Sequence, residues 1–474
     1  MEKIRRLFEE YSDVREYGIL PLPSSGGDRR YYRIRWSKGS CIAAYGTDIK
    51  ENSAFLYMAD HFHNAGLPVP EIFAVSRDRL CYLQEDLGDT TLFNAVSSGR
   101  DKGIYSDGEI SLLRRAVEAL PSFQFKGAEG MDFSMCAPVS RFDRTSVMFD
   151  LNYFKYCFLK PSGLEFDETA LENDFDRMCG KLLACCGDTF MYRDFQSRNI
   201  MVLPDGSLRF IDFQGGRKGP VHYDLVSFIW QARARYSPEL KNELTEAYLD
   251  ALSEYTDIDR EKFNAELRHF ALFRTLQTLG AYGFRGMYER RPHFIESIPY
   301  AMDNIAGLLS EPFDEYPCLS DVLLRLVPIF RHKDTHNDGK LHIRIFSFSY
   351  KNGIPEDSSG NGGGYVFDCR GLPNPGRLPE YRCLTGLDGP VVEYLSKFPE
   401  TETFAGHTAA LADMHIGNYL DRGFSDLMFS FGCTGGRHRS VYFAEKLTEH
   451  IRNRYGDRLA ISLCHREQDI RKTF

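Results

Sequence analysis

The stretch MYRDFQSRNIMVLPDGSLRFIDFQGG sets Asn199 five residues after Asp194, and thirteen residues further on it sets a second carboxylate, Asp212, at the end of a strand-like run. Phosphoryl transfer uses a carboxylate to orient the attacking hydroxyl and take its proton, with hard oxygen ligands to hold Mg²⁺. Asp194, Asn199 and Asp212 supply those roles in turn. Each alone is an ordinary turn or capping residue, so the spacing and the intervening strands carry the reading. A second stretch, FGCTGGRHRS, places five residues between Cys433 and Arg439-Ser440, the spacing of a cysteine-dependent phosphatase loop. A strand running into a glycine loop and then a helix is also the recipe for an anion site, because free N–H groups and the positive helix end converge there. Cys433, Thr434, Gly435, Gly436, Arg437, His438, Arg439 and Ser440 are the candidate phosphate ligands, with Arg439 able to grip two oxygens at once. Catalysis by Cys433 would need a depressed thiol pKa and a separate acid, for which Asp368 and Asp388 qualify by residue type alone.

The elements that must position these groups fall into three regions. YYRIRW and SCIAAYG read as strands, followed by a helix over ENSAFLYMADHFHNAG and by LPVPEIFAV and RLCYLQEDLG. In this small lobe, SSGGDRRYYRI reads as a phosphate-covering hairpin through Ser25, Gly26, Gly27, Asp28 and Arg30, and QEDLG as a hinge to meet adenine around Glu85 and Leu87. From about Thr91 to Leu326 the pattern is helical, broken by the strand-like NIMVL and LRFIDF. The polar run PIFRHKDTHNDGK then marks a linker, whose His332, His336 and nearby His342 read as solvated residues before a metal cluster. The expected divisions are 1–327 (small lobe 1–88, helical lobe 89–327), linker 328–340 and a small α/β domain over 341–474, where strand-like and helical runs alternate.

Composition sets the outer limits. A chain of 474 residues exceeds what one core usually serves. A net charge of −9 argues against a DNA-coating or RNA-coating scaffold, and no run approaches the roughly 18 apolar residues of a membrane span. Twelve cysteines without a CxxC pair read as reduced thiols, so the expected location is cytoplasmic; Cys179, Cys185 and Cys186 read as small core residues before a zinc site.

The run from about Leu20 to Leu309 resembles the aminoglycoside phosphotransferase family, and within it the kinases that phosphorylate the 1-hydroxyl of N-acetylmuramate or N-acetylglucosamine. GGDRRYYRI, GLPVPEI, LQEDLGD, RFDRTSVMFDLNYF, YRDFQSRNIM and IDFQGGRKGPVHYDLVSFI carry the resemblance. It implies an α+β, protein-kinase-like bilobal fold, ATP and Mg²⁺ as cofactors, Asp194 as catalytic base, Asn199 and Asp212 as metal ligands and Asp224 as a structural acid. Two departures stand out: Tyr192 replaces a common His, and SCIAAYG lacks the lysine that grips the α and β phosphates, leaving Arg29, Arg30 or Lys50 as stand-ins and Glu51 as a possible partner. SFSYKNGIP, YVFDCRGLPNP, RCLTGLDGPVVEYL, GCTGGRHRSVYFAEKL and HRE resemble the C-terminal domain of the RapZ family of RNase adaptors over about Ile343 to Glu467. That resemblance implies a glucosamine-6-phosphate sensor, with Thr385, Gly386 and Asp388 toward the sugar and RNA as a possible partner through Arg466, Arg471 and Lys472. Its usual P-loop domain is replaced here by the kinase-like lobes. The expected function is therefore an amino-sugar kinase joined to a sensor of an amino-sugar phosphate. The alternatives are a non-catalytic metabolite-sensing adaptor and a Cys433 phosphatase.

Overall fold

Small side chains decide the first sheet. In β3 (Gly39–Tyr45), Cys41 and Ala43 join one core cluster and Ala44 another, the alternation of a strand covered on both faces. Its partners are β1 (Tyr17–Pro21), β2 (Arg30–Trp36), β4 (Ile72–Val75) and β5 (Cys81–Glu85), in the order β1-β2-β3-β5-β4 with every pair antiparallel. The helix Glu2–Tyr11 sets Ile4, Leu7 and Phe8 against Cys41, Ala43, Cys81 and Leu83. The helix Ile49–Asn64 brings Phe55, Met58 and Phe62 to the cluster that holds Ala44 and Tyr82.

This computed structural model describes residues 1–23, 29–331, 340–355, 357 and 363–474. It divides into two units, Met1–Arg331 and His332–Phe474. Ser25, Gly26, Gly27 and Asp28 of the expected hairpin, and His332 and His336 of the linker, lie outside the described residues.

After β5 the first unit is helical around one large core, with long helices at Asp107–Phe125, Arg144–Phe154, Glu168–Ala184, Pro238–Leu252 and Arg260–Tyr282. Two short antiparallel pairs interrupt them: β6 (Thr189–Met191) with β9 (Arg217–Gly219), and β7 (Ile200–Val202) with β8 (Leu208–Phe210). The last helix, Pro317–Phe330, runs past residue 327, where the domain was expected to end.

The second unit is a sheet in the order β11-β12-β10-β13-β14, from β10 (Leu341–Ser349), β11 (Tyr365–Asp368), β12 (Asp426–Cys433), β13 (Leu459–His465) and β14 (Ile470–Thr473). The first four strands are parallel and β14 is antiparallel to β13. All eight residues of β12 are buried, as expected of a strand covered on both faces. The helix Arg439–Tyr455 supplies the stripe Val441, Ala444, Leu447 and Ile451. Among the described residues no helix is long and apolar enough to cross a membrane.

Candidate functional sites

The first site is built where β6 ends. Tyr192 and Arg193 donate their backbone N–H groups to the two oxygens of Asp224, at 2.7 and 2.8 Å. Asp224 is fully buried on the helix His222–Ile229, and the two bonds hold Arg193 at φ 79°, a conformation that non-glycine residues seldom adopt. The tight turn delivers Asp194 immediately after it. The turn Ser197–Asn199 then brings Asn199 back, and its Nδ2 donates both to the Asp194 carbonyl (2.9 Å) and to Asp212 Oδ2 (3.2 Å). Asp212 has φ 69° and accepts a further bond from Gln214 Nε2 at 2.7 Å. Two strained residues and three functional side chains thus converge, the usual place for stored strain.

Burial first and the nearby Asp194 second raise the Asp212 pKa, so its anion is short of positive charge. The Gln214 Oε1 beside it is buried and has no hydrogen-bond partner. A carboxylate, an amide and an orphaned carbonyl oxygen are hard donors that suit Mg²⁺. Asp224 is also pushed up, to about 7, by burial that its two amide bonds only partly offset.

Of the three stand-ins for the missing lysine, Arg29 is the buried one. Arg29, the last residue before β2, is buried, and its Nη2 pairs with Glu51 Oε1 at 2.9 Å. Glu51 stands in the first turn of Ile49–Asn64, whose N-cap Asp48 accepts from the amides of Lys50 and Glu51. Arg29 Nη1 has no partner, and its charge works to lower the Asp212 pKa, a smaller effect than the burial and the Asp194 charge that raise it. Arg30, the expected contact, is exposed on β2 instead, and Lys50 is exposed as well. At the expected hinge, the Glu85 amide donates to the Glu71 carbonyl, while the half-buried Asp86 pairs with Arg33 and accepts a bond from Ser40. Leu87 is buried beside Gly88, whose φ is 81°. Sequence reasoning passed over a further ion pair, Arg193 with the buried Asp150 at 3.0 Å. It also passed over Arg217, whose pKa burial and Arg193 lower to about 10. These come from separated segments with no local signature.

The second site follows from the parallel ladder. Its register pairs Ser349 with Cys433, Ser347 with His465 and Asp368 with Gly432, so four strands end side by side. Ligand sites of open parallel sheets form at such carboxyl ends. The loop after Cys433 turns at Gly436, where φ is 64° and an added β-carbon would meet Glu467 Cγ at 2.3 Å, so only glycine fits. Among the described residues, the amides of Thr434, Gly435, Arg437 and His438 donate to no protein acceptor, which leaves a row of N–H groups ahead of the helix Arg439–Tyr455.

The side chains do not act as expected. Arg439 Nη1 is committed to the carbonyls of Arg370 (2.7 Å) and Leu372 (2.9 Å). His438 Nε2 lies 2.9 Å from the Tyr381 carbonyl, and Arg437 is exposed. Cys433 and Ser440 are buried, with Sγ and Oγ 3.2 Å apart. Burial works to raise the Cys433 pKa, but the Ser440 hydroxyl, the amides of Ser440 and Gly436, and Arg439 outweigh it and lower the pKa below the usual thiol value. Neither candidate acid is free. Asp368 is held ionised by Arg370, and Asp388 by the Thr385 amide and hydroxyl; both have lowered pKa values where a general acid needs a raised one. Asp388 stands at the N-cap position of the helix Gly389–Ser396. Of the cations expected to face RNA, Lys472 pairs with Glu445, and Arg466 bonds Glu467 and the Gly353 carbonyl.

Two segments of the chain match known families. Residues 139–262 match the phosphotransferase enzyme family, and residues 341–469 match the RapZ C-terminal domain. The chain thus joins a segment similar to the phosphotransferase enzyme family to a segment similar to the RapZ C-terminal domain. Asp194, Asn199, Asp212 and Asp224 all fall in the segment that matches the phosphotransferase family, and the Cys433 loop falls in the segment that matches the RapZ C-terminal domain. Similar curated proteins include nucleotide-binding proteins of Clostridium acetobutylicum (40% identity over 137 residues) and Alkalilimnicola ehrlichii (41% over 143). The matches cover 28% and 30% of this chain, and 44% and 47% of those relatives, so the chain spans less than half of their length. Similar solved structures include the choline kinase LicA of Streptococcus pneumoniae (12% identity, TM-score 0.41, 65% of this chain and 99% of that one). Another is AMP-bound spectinomycin phosphotransferase (11% identity, TM-score 0.46, 68% and 97%).

Proposed function

We propose that the Met1–Arg331 unit transfers a phosphoryl group from ATP to the anomeric hydroxyl of an N-acetylated amino sugar, and that the RapZ C-terminal domain binds an amino-sugar phosphate such as glucosamine 6-phosphate. The observation that carries the first half is Asn199 bridging the Asp194 carbonyl and the Asp212 carboxylate in a loop locked by Asp224. Asp194 orients the acceptor hydroxyl and takes its proton as the new ester forms. Asn199 and Asp212, with Gln214 Oε1 near, would hold Mg²⁺, which would supply positive charge at the phosphates. Arg29, fixed by Glu51, reaches the same phosphates in place of lysine, and backbone groups at Glu85 and Leu87 meet the adenine.

The second half rests on the unpartnered amides of the Cys433 loop, and it makes that loop a cradle for phosphate. A phosphatase is the weaker reading because Asp368 and Asp388 are held ionised. ADP release by the full chain with Mg-ATP and a panel of N-acetylated amino sugars tests the kinase. Sugar-dependent release that disappears in Asp194→Asn supports it, whereas no sugar-dependent release across the panel rejects it. Adding glucosamine 6-phosphate to the same assay tests regulation, which is wrong if turnover and sugar affinity both stay unchanged.

A further inference from the structure

Cys185, His222 and Glu266 come from three separate elements, yet one ligand atom of each lies within 4.8 Å of the others. Cys185 caps the end of Glu168–Ala184, His222 opens the helix His222–Ile229, and Glu266 lies on Arg260–Tyr282. His222 is 4% exposed, and neither of its ring nitrogens makes a hydrogen bond. Phe263 and Phe270 stack on the ring, at centroid distances of 4.2 and 5.0 Å, and fix its plane. Nε2 consequently points toward Glu266 Oε2 at 3.3 Å, and the other carboxylate oxygen lies 3.8 Å from Lys262 Nζ. Beside the trio a cleft of about 220 Å³ is lined by Cys185, Glu266, His269 and Lys262 among others, leaving room for a water.

We infer that Cys185, His222 and Glu266 form a binding site for a zinc-class divalent cation, with its fourth position open to the cleft. Thiolate, imidazole and carboxylate are the donor types that Zn²⁺ takes in a tetrahedral shell, and a sulfur donor disfavours Mg²⁺ and Ca²⁺. Binding would release the Cys185 proton to solvent. The site has a structural consequence, because Asp224, two residues beyond His222, holds the Tyr192 and Arg193 amides. A metal at His222 braces the start of the helix that carries Asp224, whose carboxylate holds the Asp194 loop.

The full-length chain, stripped with a chelator, reloaded with Zn²⁺ and passed through a desalting column, should retain about one more zinc per chain than Cys185→Ser or His222→Asn. Loaded with Co²⁺, the wild type should show thiolate-to-cobalt charge-transfer absorption that Cys185→Ser lacks. Equal zinc retention in wild type and Cys185→Ser, or a cobalt spectrum with no thiolate band, overturns the site. Far-UV circular dichroism identifies any variant that fails to fold, and if His222→Asn does so, the near-isosteric Cys185→Ser decides.

Discussion

The Asp194 loop and the Cys433 loop both follow a strand, yet their polar groups are arranged in opposite ways. Around Asp194 the backbone is strained at Arg193 and Asp212, and Gln214 Oε1 and Arg29 Nη1 are left without partners. Around Cys433 most side-chain groups are engaged: Arg439 Nη1 with carbonyls, His438 with Tyr381 and Ser440 with the thiol, while the backbone amides and the buried Arg439 Nε remain open. Unsatisfied buried charge is costly and persists where a ligand or metal completes it. A cradle of amides with tied side chains suits holding an anion more than transforming it.

Breaking the first arrangement should have the largest effect. Asp224→Ala leaves two buried amides unpaired and should cost about 2–4 kcal/mol of stability in a denaturant titration, with loss of phosphoryl transfer, while the second unit keeps its fold. Arg29→Ala should lower kcat/KM for ATP by roughly 10- to 100-fold, the worth of a charge-assisted contact, with Arg30→Ala near wild type. An unchanged value for Arg29→Ala would remove it from the nucleotide site.

The second arrangement is probed more gently. Ser440→Ala deletes the leading contact that lowers the Cys433 pKa, so iodoacetamide labelling should shift to higher pH. Smallest is Glu445, whose pKa is lowered to about 2, first by its bond with His465 and then by Lys472. A depressed folded pKa stabilises above the unfolded value and is lost as pH falls, so the benefit fades between about 4.5 and about 2. Glu445→Gln should flatten the melting temperature over that window and leave the Asp194 loop untouched.

Much of the first loop was legible because Asp194, Asn199 and Asp212 lie in one short stretch with strands between them. Arg29 was not distinguished from Arg30, because adjacent residues at a strand start differ only in which way they point, and that depends on the register of β2 with β3. Asp150, Arg217 and the Cys185-His222-Glu266 trio join segments far apart in the chain, so no local spacing announces them. In the second unit the parallel strands read clearly from their apolar runs. The helix Pro399–Arg422 did not, since only Thr401, Thr408, Ala412 and Ile416 are buried along it, a stripe too narrow to show as periodicity. The Cys433 spacing suggested a catalyst, and what spacing omits is where the arginine points and whether an acid is free.

The most direct measurement is ³¹P NMR of the full chain with Mg-ATP and an N-acetylated amino sugar, followed over time beside Asp194→Asn and Cys433→Ser. The account predicts a sugar 1-phosphate signal that accumulates in wild type and in Cys433→Ser and is absent in Asp194→Asn. No ester in any sample, or inorganic phosphate released from added sugar phosphate by wild type and not by Cys433→Ser, would contradict it.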